Sequence, residues 1–173
     1  MQALRWSFVL VLAGLVAAPA VRAQDGPKPG AEHAILKKLE GTWDATMKFG
    51  DMSSKGTMVY KMELGGLWLV GTFDGEFAGT KFAGKGLDSY DPAKKKYVGI
   101  WVDSMTTSPM TSEGTFDAAT KTMTMNGQAT GPDGKPTKSK SVTQFKDDDT
   151  VVMSMWMGDD KDAMFVITYK RKK

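Results

Sequence analysis

The sequence predicts an all-β protein: an antiparallel up-and-down β-barrel of about ten strands, with one short N-terminal helix plugging one end. First, apolar and β-branched residues alternate with polar ones from Gly41 onward, the period of a strand with one buried face. Second, Gly, Asp, Asn and Pro clusters interrupt this pattern about every ten residues, so consecutive strands have short connections and pair antiparallel. Third, ten meandering strands leave two unpaired edges unless the sheet closes.

The chain begins with a segment that has the features of a secretory signal peptide, residues 1–23. An apolar run at residues 6–16 follows the basic Arg5, and residues 21–23 (Val-Arg-Ala) have the small-x-small pattern of a cleavage site. The apolar run is shorter than a comfortable membrane span. We therefore expect an exported protein, periplasmic or extracellular, with no integral membrane segment after cleavage.

The remaining chain divides into a linker and one predicted barrel domain, residues 31–173. Residues 24–30 (QDGPKPG) have the composition of a flexible linker. Residues 31–40 (AEHAILKKLE) place apolar side chains at helical spacing and give the one helix expected in the mature chain. The predicted strands are 42–49, 55–64, 67–76, 80–90, 96–103, 110–117, 121–129, 137–146, 150–157 and 163–171.

Charge and cysteine content exclude further classes of protein. Residues 1–23 contain two arginines and no acid, so removing them lowers the formal net charge from +3 to +1. A nucleic-acid partner needs a concentrated basic surface, which lysines scattered through turns do not provide, so none is predicted. The chain has no cysteine, so its stability has to come from the core rather than from disulfides.

The tripeptide Gly41-Thr42-Trp43 follows the helix and opens the first strand. In this position it resembles the signature shared by lipocalins and other calycins. In those barrels the tryptophan packs at the closed base, and a basic residue of the last strand lies over it. The resemblance implies that Gly41, Trp43 and Arg171 form this structural signature, with Arg171 stacked on the indole by a cation–π contact.

Four further segments are informative: HAILKKLEGTW, LGGLWLVGTFDGEF, SYDPAKKKYVGIWVDSM and ITYKRKK. Through them the whole mature chain resembles a more specific group, the exported bacterial proteins of domain-of-unknown-function family 1579, which are thought to be lipocalin-like. The resemblance implies a barrel and brings no established activity. The related haem-binding nitrobindins ligate haem through a histidine late in the chain, whereas the one histidine here, His33, lies on the N-terminal helix. No cofactor is therefore predicted.

The two ends of the predicted barrel differ in their loops. A meander places its turns alternately at the two ends, and the helix enters at the end where the first strand begins. We therefore expect the helix and Trp43 to plug that end and an open mouth to lie at the other, where loops on a rigid scaffold frame a pocket. The mouth receives the connections 50–54, 77–79, 104–109, 130–136 and 158–162, and the plugged end receives 65–66, 91–95, 118–120 and 147–149.

Several side chains near the mouth are candidates for ligand binding. Trp101 and Asp103 share one face of their strand, because side chains alternate with period two. Met105 follows in the mouth loop, and Glu113 lies on the returning strand. A tryptophan beside carboxylates would give an apolar pocket with a few orienting polar groups. The alternative, which we favour, is that Trp101 faces the core while Asp103 caps the loop.

Methionines alternate along two predicted strands. Met153, Met155 and Met157 share one face of the ninth strand, and Met123 and Met125 share one face of the seventh. The favoured interpretation is core filling, for which flexible thioethers are well suited. An adaptable lining for apolar ligands, which would include Met155 and Met157, is a second interpretation. Binding of Cu(I) by thioethers is a third.

The sequence supplies no catalytic or metal-binding constellation. One histidine without cysteine cannot build a zinc site, and the topology places His33 at the plugged end. No catalytic residue and no metal ligand are therefore predicted. The favoured function is binding of a small apolar or amphipathic molecule in the barrel mouth. Two alternatives stay open: an enzyme acting on such a ligand through Asp103 and Glu113, and an interaction module whose barrel is filled by side chains.

Overall fold

The computed structural model of the protein describes residues 26–131 and 134–173, so the predicted signal peptide lies outside the described residues. It confirms the predicted fold class, a closed barrel of ten antiparallel strands with one short helix. Among the described residues, no helix has the length and apolar character needed to cross a membrane. The elements are α1 Ala31–Lys37, β1 Gly41–Phe49, β2 Met52–Glu63, a 3₁₀ turn Leu64–Gly66, β3 Trp68–Phe77, β4 Thr80–Asp91, β5 Lys96–Asp103, β6 Met110–Asp117, β7 Thr122–Thr130, β8 Pro136–Phe145, β9 Thr150–Met157 and β10 Phe165–Arg171.

The barrel closes because its first and last strands pair with each other. Strands that are consecutive along the chain pair antiparallel with each other, and β1 also pairs antiparallel with β10. In this seam Trp43 lies opposite Arg171, and Met47 lies opposite Ile167. Closure leaves no strand edge with unpaired backbone groups, which is the physical reason for preferring a barrel to an open sheet.

Side chains alternate between the interior and the outside along each strand, as the period-two pattern predicts. In β1, for example, Trp43, Ala45 and Met47 are buried, whereas the alternate residues Asp44 and Lys48 are exposed. The same alternation places every lysine of the described strands on the outer face. Asp88, Asp103 and Arg171 are the charged residues that the described strands direct inward.

Helix α1 covers the end of the barrel at which β1 begins. Leu36 is 1% exposed and packs in a cluster with Leu69, Tyr97, Met123 and Met125 of the strands. The Tyr97 hydroxyl donates a hydrogen bond to the carbonyl oxygen of a residue in the first helical turn at 3.2 Å. These contacts confirm that the helix is the plug. The helix is shorter than predicted, because turn hydrogen bonds replace helical ones over residues 38–40.

Arg171 fastens the last strand to the helix and to Trp43. Its guanidinium carbon lies 4.1 Å from the centre of the Trp43 ring, which confirms the expected cation–π contact. The same guanidinium donates hydrogen bonds to the carbonyl oxygens of Lys38, Glu40 and Asp148 at 2.7–3.0 Å. The Trp43 indole N–H donates to the Leu39 carbonyl at 2.7 Å. These hydrogen bonds tie the last strand, the turn after the helix and Trp43 together at the closed base.

Candidate functional site

Large side chains inside the barrel lie flat against parts of the wall that contain glycine. A Cβ built on Gly71 would lie 2.8 Å from the ring of Tyr60, and one built on Gly84 would overlap the ring of Trp101. Only glycine leaves room for such a close approach. Both rings also pack against a buried cluster inside the barrel that includes Met58 and Phe73.

Several inward-facing side chains in the middle of strands retain accessible surface. These positions lie inside a closed barrel, so the surface that they retain faces interior space rather than the outer solvent. We call this space the lumen. It is lined by Tyr60, Asp88, Ser141, Thr143 and Met153, all of which are only partly buried.

Asp88 is a lumen residue that the sequence pattern did not single out. It faces inward from β4, between Leu69 of β3 and Gly99 of β5 in the strand register. A Cβ on Gly99 would lie 2.6 Å from Asp88 Oδ1, so the carboxyl group also lies against the wall. No hydrogen bond or ion pair joins it to another described residue. Burial raises the pKa of Asp88 from its usual value of 3.8 to about 7.

Tyrosine hydroxyl groups supply further polarity inside the barrel. Burial raises the pKa of Tyr60, and the negative charges of ionised Tyr169 and Asp88 raise it further. Burial also raises the pKa of Tyr169 and brings that of Tyr97 to about 12. All three phenols are therefore neutral near pH 7 and can donate or accept a hydrogen bond. The described lumen thus combines aromatic and thioether surface with neutral hydroxyls and one acid.

The structure places Trp101 and Asp103 inside the barrel at the end of β5. The Asp103 carboxylate accepts hydrogen bonds from the Trp101 indole N–H at 3.0 Å and from the backbone N–H of Met105 at 2.9 Å. Each carboxylate oxygen thus has a partner. This geometry matches the loop-capping interpretation and gives Asp103 a positioning role, because it fixes the orientation of the Trp101 ring. Met105, in the loop, is 61% exposed.

The prediction that Glu113 contributes to the mouth is wrong. Gly114 and Phe116 of β6 face inward, so Glu113 faces outward. Its carboxylate binds Lys96 and, at 3.4 Å, Lys94, and the hydrogen bond from Lys96 is the main cause of its lowered pKa. Asp103 and Glu113 lie on opposite faces of the barrel wall, so the acid pair invoked for an enzymatic alternative does not form.

The methionines of β9 face inward, as the alternation predicts. Met155 is buried beside Ser141 of β8, and Met153 and Met157 remain partly accessible on the same face. Trp156 faces outward, where the Lys140 ammonium lies 5.5 Å from its ring centre. Core filling describes the methionines beneath the helix, whereas those of β9 also border the lumen. Among residues 26–131 and 134–173, no three His, Asp or Glu side chains converge to hold a metal ion.

His33 is a buried residue of the helix plug. Its Nδ1 accepts a hydrogen bond from the Gly30 backbone N–H at 3.1 Å, and its ring meets Tyr90 edge-to-face, with centroids 6.4 Å apart. Because Nδ1 accepts a hydrogen bond, the ring proton of the neutral imidazole lies on Nε2. Nε2 is buried without a partner among the described residues. These contacts agree with a helix-packing role.

Concavities among the described residues include two of about 360 Å³ each. One lies at the closed base beside Trp43 and Arg171. The other crosses the outer faces of β5, β6 and β7, where Val98, Ile100 and Thr111 line it. Neither opens at the predicted mouth.

Comparisons with known proteins identify the family. A family model described as "Protein of unknown function (DUF1579)" matches residues 28–171. Among solved structures, a redesigned β-barrel shares 17% sequence identity with this chain at a TM-score of 0.45, and the alignment covers 80% of this chain and 96% of that one. No curated protein matches the sequence.

Proposed function

The chain belongs to the family of proteins of unknown function DUF1579, and we propose that it is a non-catalytic, lipocalin-like binding protein. Its ligand is a small apolar or amphipathic molecule, which enters at the mouth and occupies the lumen. The protein acts outside the cytoplasm, as the features of residues 1–23 indicate.

The observation that carries this proposal is the arrangement of side chains around the lumen. Tyr60 and Trp101 lie against glycines of the wall, and Ser141, Thr143 and Met153 keep accessible surface in the middle of their strands. A barrel filled for stability alone would direct large apolar side chains toward its axis, because packed interiors leave few voids. Space lined by apolar surface and a few polar groups is typical of small-molecule sites.

The lining has the chemistry expected for an apolar ligand. Met153 and Met157 offer flexible thioether surface that adapts to different shapes. Trp101, held by Asp103, offers a fixed aromatic face near the mouth. Asp88 is the acid in the lumen that is free to orient a polar group of the ligand.

Native mass spectrometry of the mature protein, purified from its own host without detergent, tests this function. We expect a fraction of the protein to carry a stoichiometric small-molecule adduct that is released on denaturation. A uniformly ligand-free mass, together with failure to bind added apolar probes, would contradict the proposal and favour the interaction module.

A further inference from the structure

The charged groups inside the barrel have an uneven distribution. The described strands direct three charged side chains inward: Asp88 in the lumen, Asp103 near the mouth and Arg171 at the closed base. Arg171 is held by Trp43, by three carbonyl oxygens and by Asp149 at 3.4 Å. A ligand that enters from the mouth therefore meets the carboxylates of Asp103 and Asp88. The one inward-facing cation of the described strands, Arg171, is already held at the closed base.

Asp88 lacks the partners that a buried carboxylate normally has. Leu69 and Gly99, its neighbours in the register, offer no hydrogen-bond donor from their side chains. The Tyr60 hydroxyl is the titratable group coupled to it electrostatically among the described residues, and burial raises the pKa of this phenol, so it is neutral near pH 7. Burying an acid without a cation or a set of donors costs free energy. A group of this kind inside a binding cavity is a candidate for direct contact with the ligand.

We propose that the ligand is an apolar molecule carrying a basic nitrogen, and that the Asp88 carboxylate is its counter-charge in the lumen. The inference rests on the proposed binding function and adds the chemical class of the ligand. A protonated amine beside Asp88 would form the charge-assisted hydrogen bond that the protein itself does not provide. The negative charge of the Asp103 carboxylate near the mouth would favour entry of the protonated amine.

Other ligand chemistries fit the lumen less well. A fatty acid would place a second carboxylate beside Asp88, and like charges in a poorly solvated space repel each other unless one of them is protonated. A neutral alcohol could accept or donate a hydrogen bond, but it would leave the negative charge of Asp88 without compensation. An amine, an alcohol and a carboxylate on the same alkyl chain therefore allow a direct comparison of affinity among the three ligand chemistries.

The test measures the affinity of the full mature protein for decylamine, decanol and decanoate at pH 8. Each compound is titrated into protein that holds the fluorescent apolar probe N-phenyl-1-naphthylamine, and displacement of the probe reports binding. The protein is compared with the variants Asp88→Asn and Asp74→Asn. Asp74 is an exposed, outward-facing acid of β3, so its variant makes the same change of net charge outside the lumen. Decanol binding by each variant reports whether its lumen is intact.

We expect decylamine to bind at least about tenfold more tightly than decanol, and decanoate to bind least. The preference for the amine should disappear in Asp88→Asn and persist in Asp74→Asn, while decanol affinity changes little in either. If decanol binds and decylamine binds no more tightly, or if the preference survives in Asp88→Asn, the inference is overturned while the binding function stands. If none of the three compounds binds, both fail.

Discussion

At the scale of single residues, the burial of Asp88 has a consequence for stability. Its pKa is about 7 in the folded protein and close to 3.9 in an unfolded chain. The folded state therefore binds this proton more tightly than the unfolded state. The stabilisation from proton binding is complete below the unfolded-state pKa and is lost as the pH rises through about 7. A shift of this size corresponds to at most about 4 kcal/mol.

The variant Asp88→Asn removes this titration while keeping the size of the side chain. We expect it to be more stable than the parent protein at pH 8, by about 1–4 kcal/mol, because the parent then contains a buried charge. Near pH 4 the two proteins should differ little. Urea unfolding at a series of pH values measures the difference.

The exposed acid Asp74 provides the control for this experiment. Asp74→Asn changes the same functional group on the outer surface, so its effect on stability should stay within about 0.5 kcal/mol throughout the series. An Asp88→Asn variant that is destabilised equally at pH 4 and pH 8 would show that Asp88 makes a structural hydrogen bond instead of lying unpaired in the lumen.

At the scale of elements, the seam between β1 and β10 depends on Arg171. The side chain stacks on Trp43 and satisfies three carbonyl oxygens of the chain around it. We expect Arg171→Ala to lower the free energy of unfolding by about 2–4 kcal/mol. Arg171→Lys should recover little of this loss, because an ammonium group cannot reproduce the planar fork of donors.

The neighbouring Lys170 is the matched control for the seam. It faces outward and is exposed, so Lys170→Ala should change stability by less than about 0.5 kcal/mol. Denaturant unfolding followed by far-UV circular dichroism compares the three variants. Equal stability of Arg171→Lys and the parent would mean that charge alone, rather than the guanidinium geometry, holds the seam.

The helix plug is expected to depend on Leu36. This side chain is 1% exposed and packs against Leu69, Tyr97 and both methionines of β7. Leu36→Ala should destabilise the protein by about 2–5 kcal/mol, through lost burial and the cavity left behind. Lys37→Ala, an exposed change on the same helix, should have little effect in the same thermal and denaturant measurements. Equal effects would contradict the role of Leu36 as the plug.

The sequence predicts these elements well because strand periodicity and turn chemistry are local signals. All ten predicted strands are present, with boundaries that differ by at most three residues. The inward faces follow from the large apolar side chains, as in Trp43-Ala45-Met47 of β1. Helix α1 ends earlier than predicted, because residues 38–40 form a turn that leads into Gly41, whose φ is +128°.

The candidate site was harder to predict than the elements. In β6 polar residues occupy both faces, so composition alone did not show that Glu113 faces outward. The positions of Gly114 and Phe116 indicate the inward face of β6, and Glu113 lies on the opposite face because side chains alternate along a strand. Asp88 was missed because its importance depends on what surrounds it after closure. The sequence does place Asp88 on the same strand face as Gly84, Gly86 and Tyr90. This is the face that the barrel directs inward, so the pattern indicates an acid inside the barrel.

At the scale of the whole molecule, the proposed function depends on a barrel that is closed at the base and hollow above it. The helix and the Trp43–Arg171 contact seal one end. Tyr60 and Trp101 lie against glycines of the wall and pack beside a buried interior cluster that includes Phe73. Under the proposed function, the buried clusters provide stability and the lumen accepts the ligand.

The most direct test of the hollow lumen is a titration with N-phenyl-1-naphthylamine of the parent protein, Ser141→Phe and Ser154→Phe. Ser141 lines the lumen from β8, whereas Ser154 of the adjacent β9 faces outward. We predict saturable binding near one equivalent by the parent protein and by Ser154→Phe, and at least about a tenfold loss of affinity in a folded Ser141→Phe. Equal binding by both variants, or no binding by the parent protein, would contradict a ligand-accepting lumen.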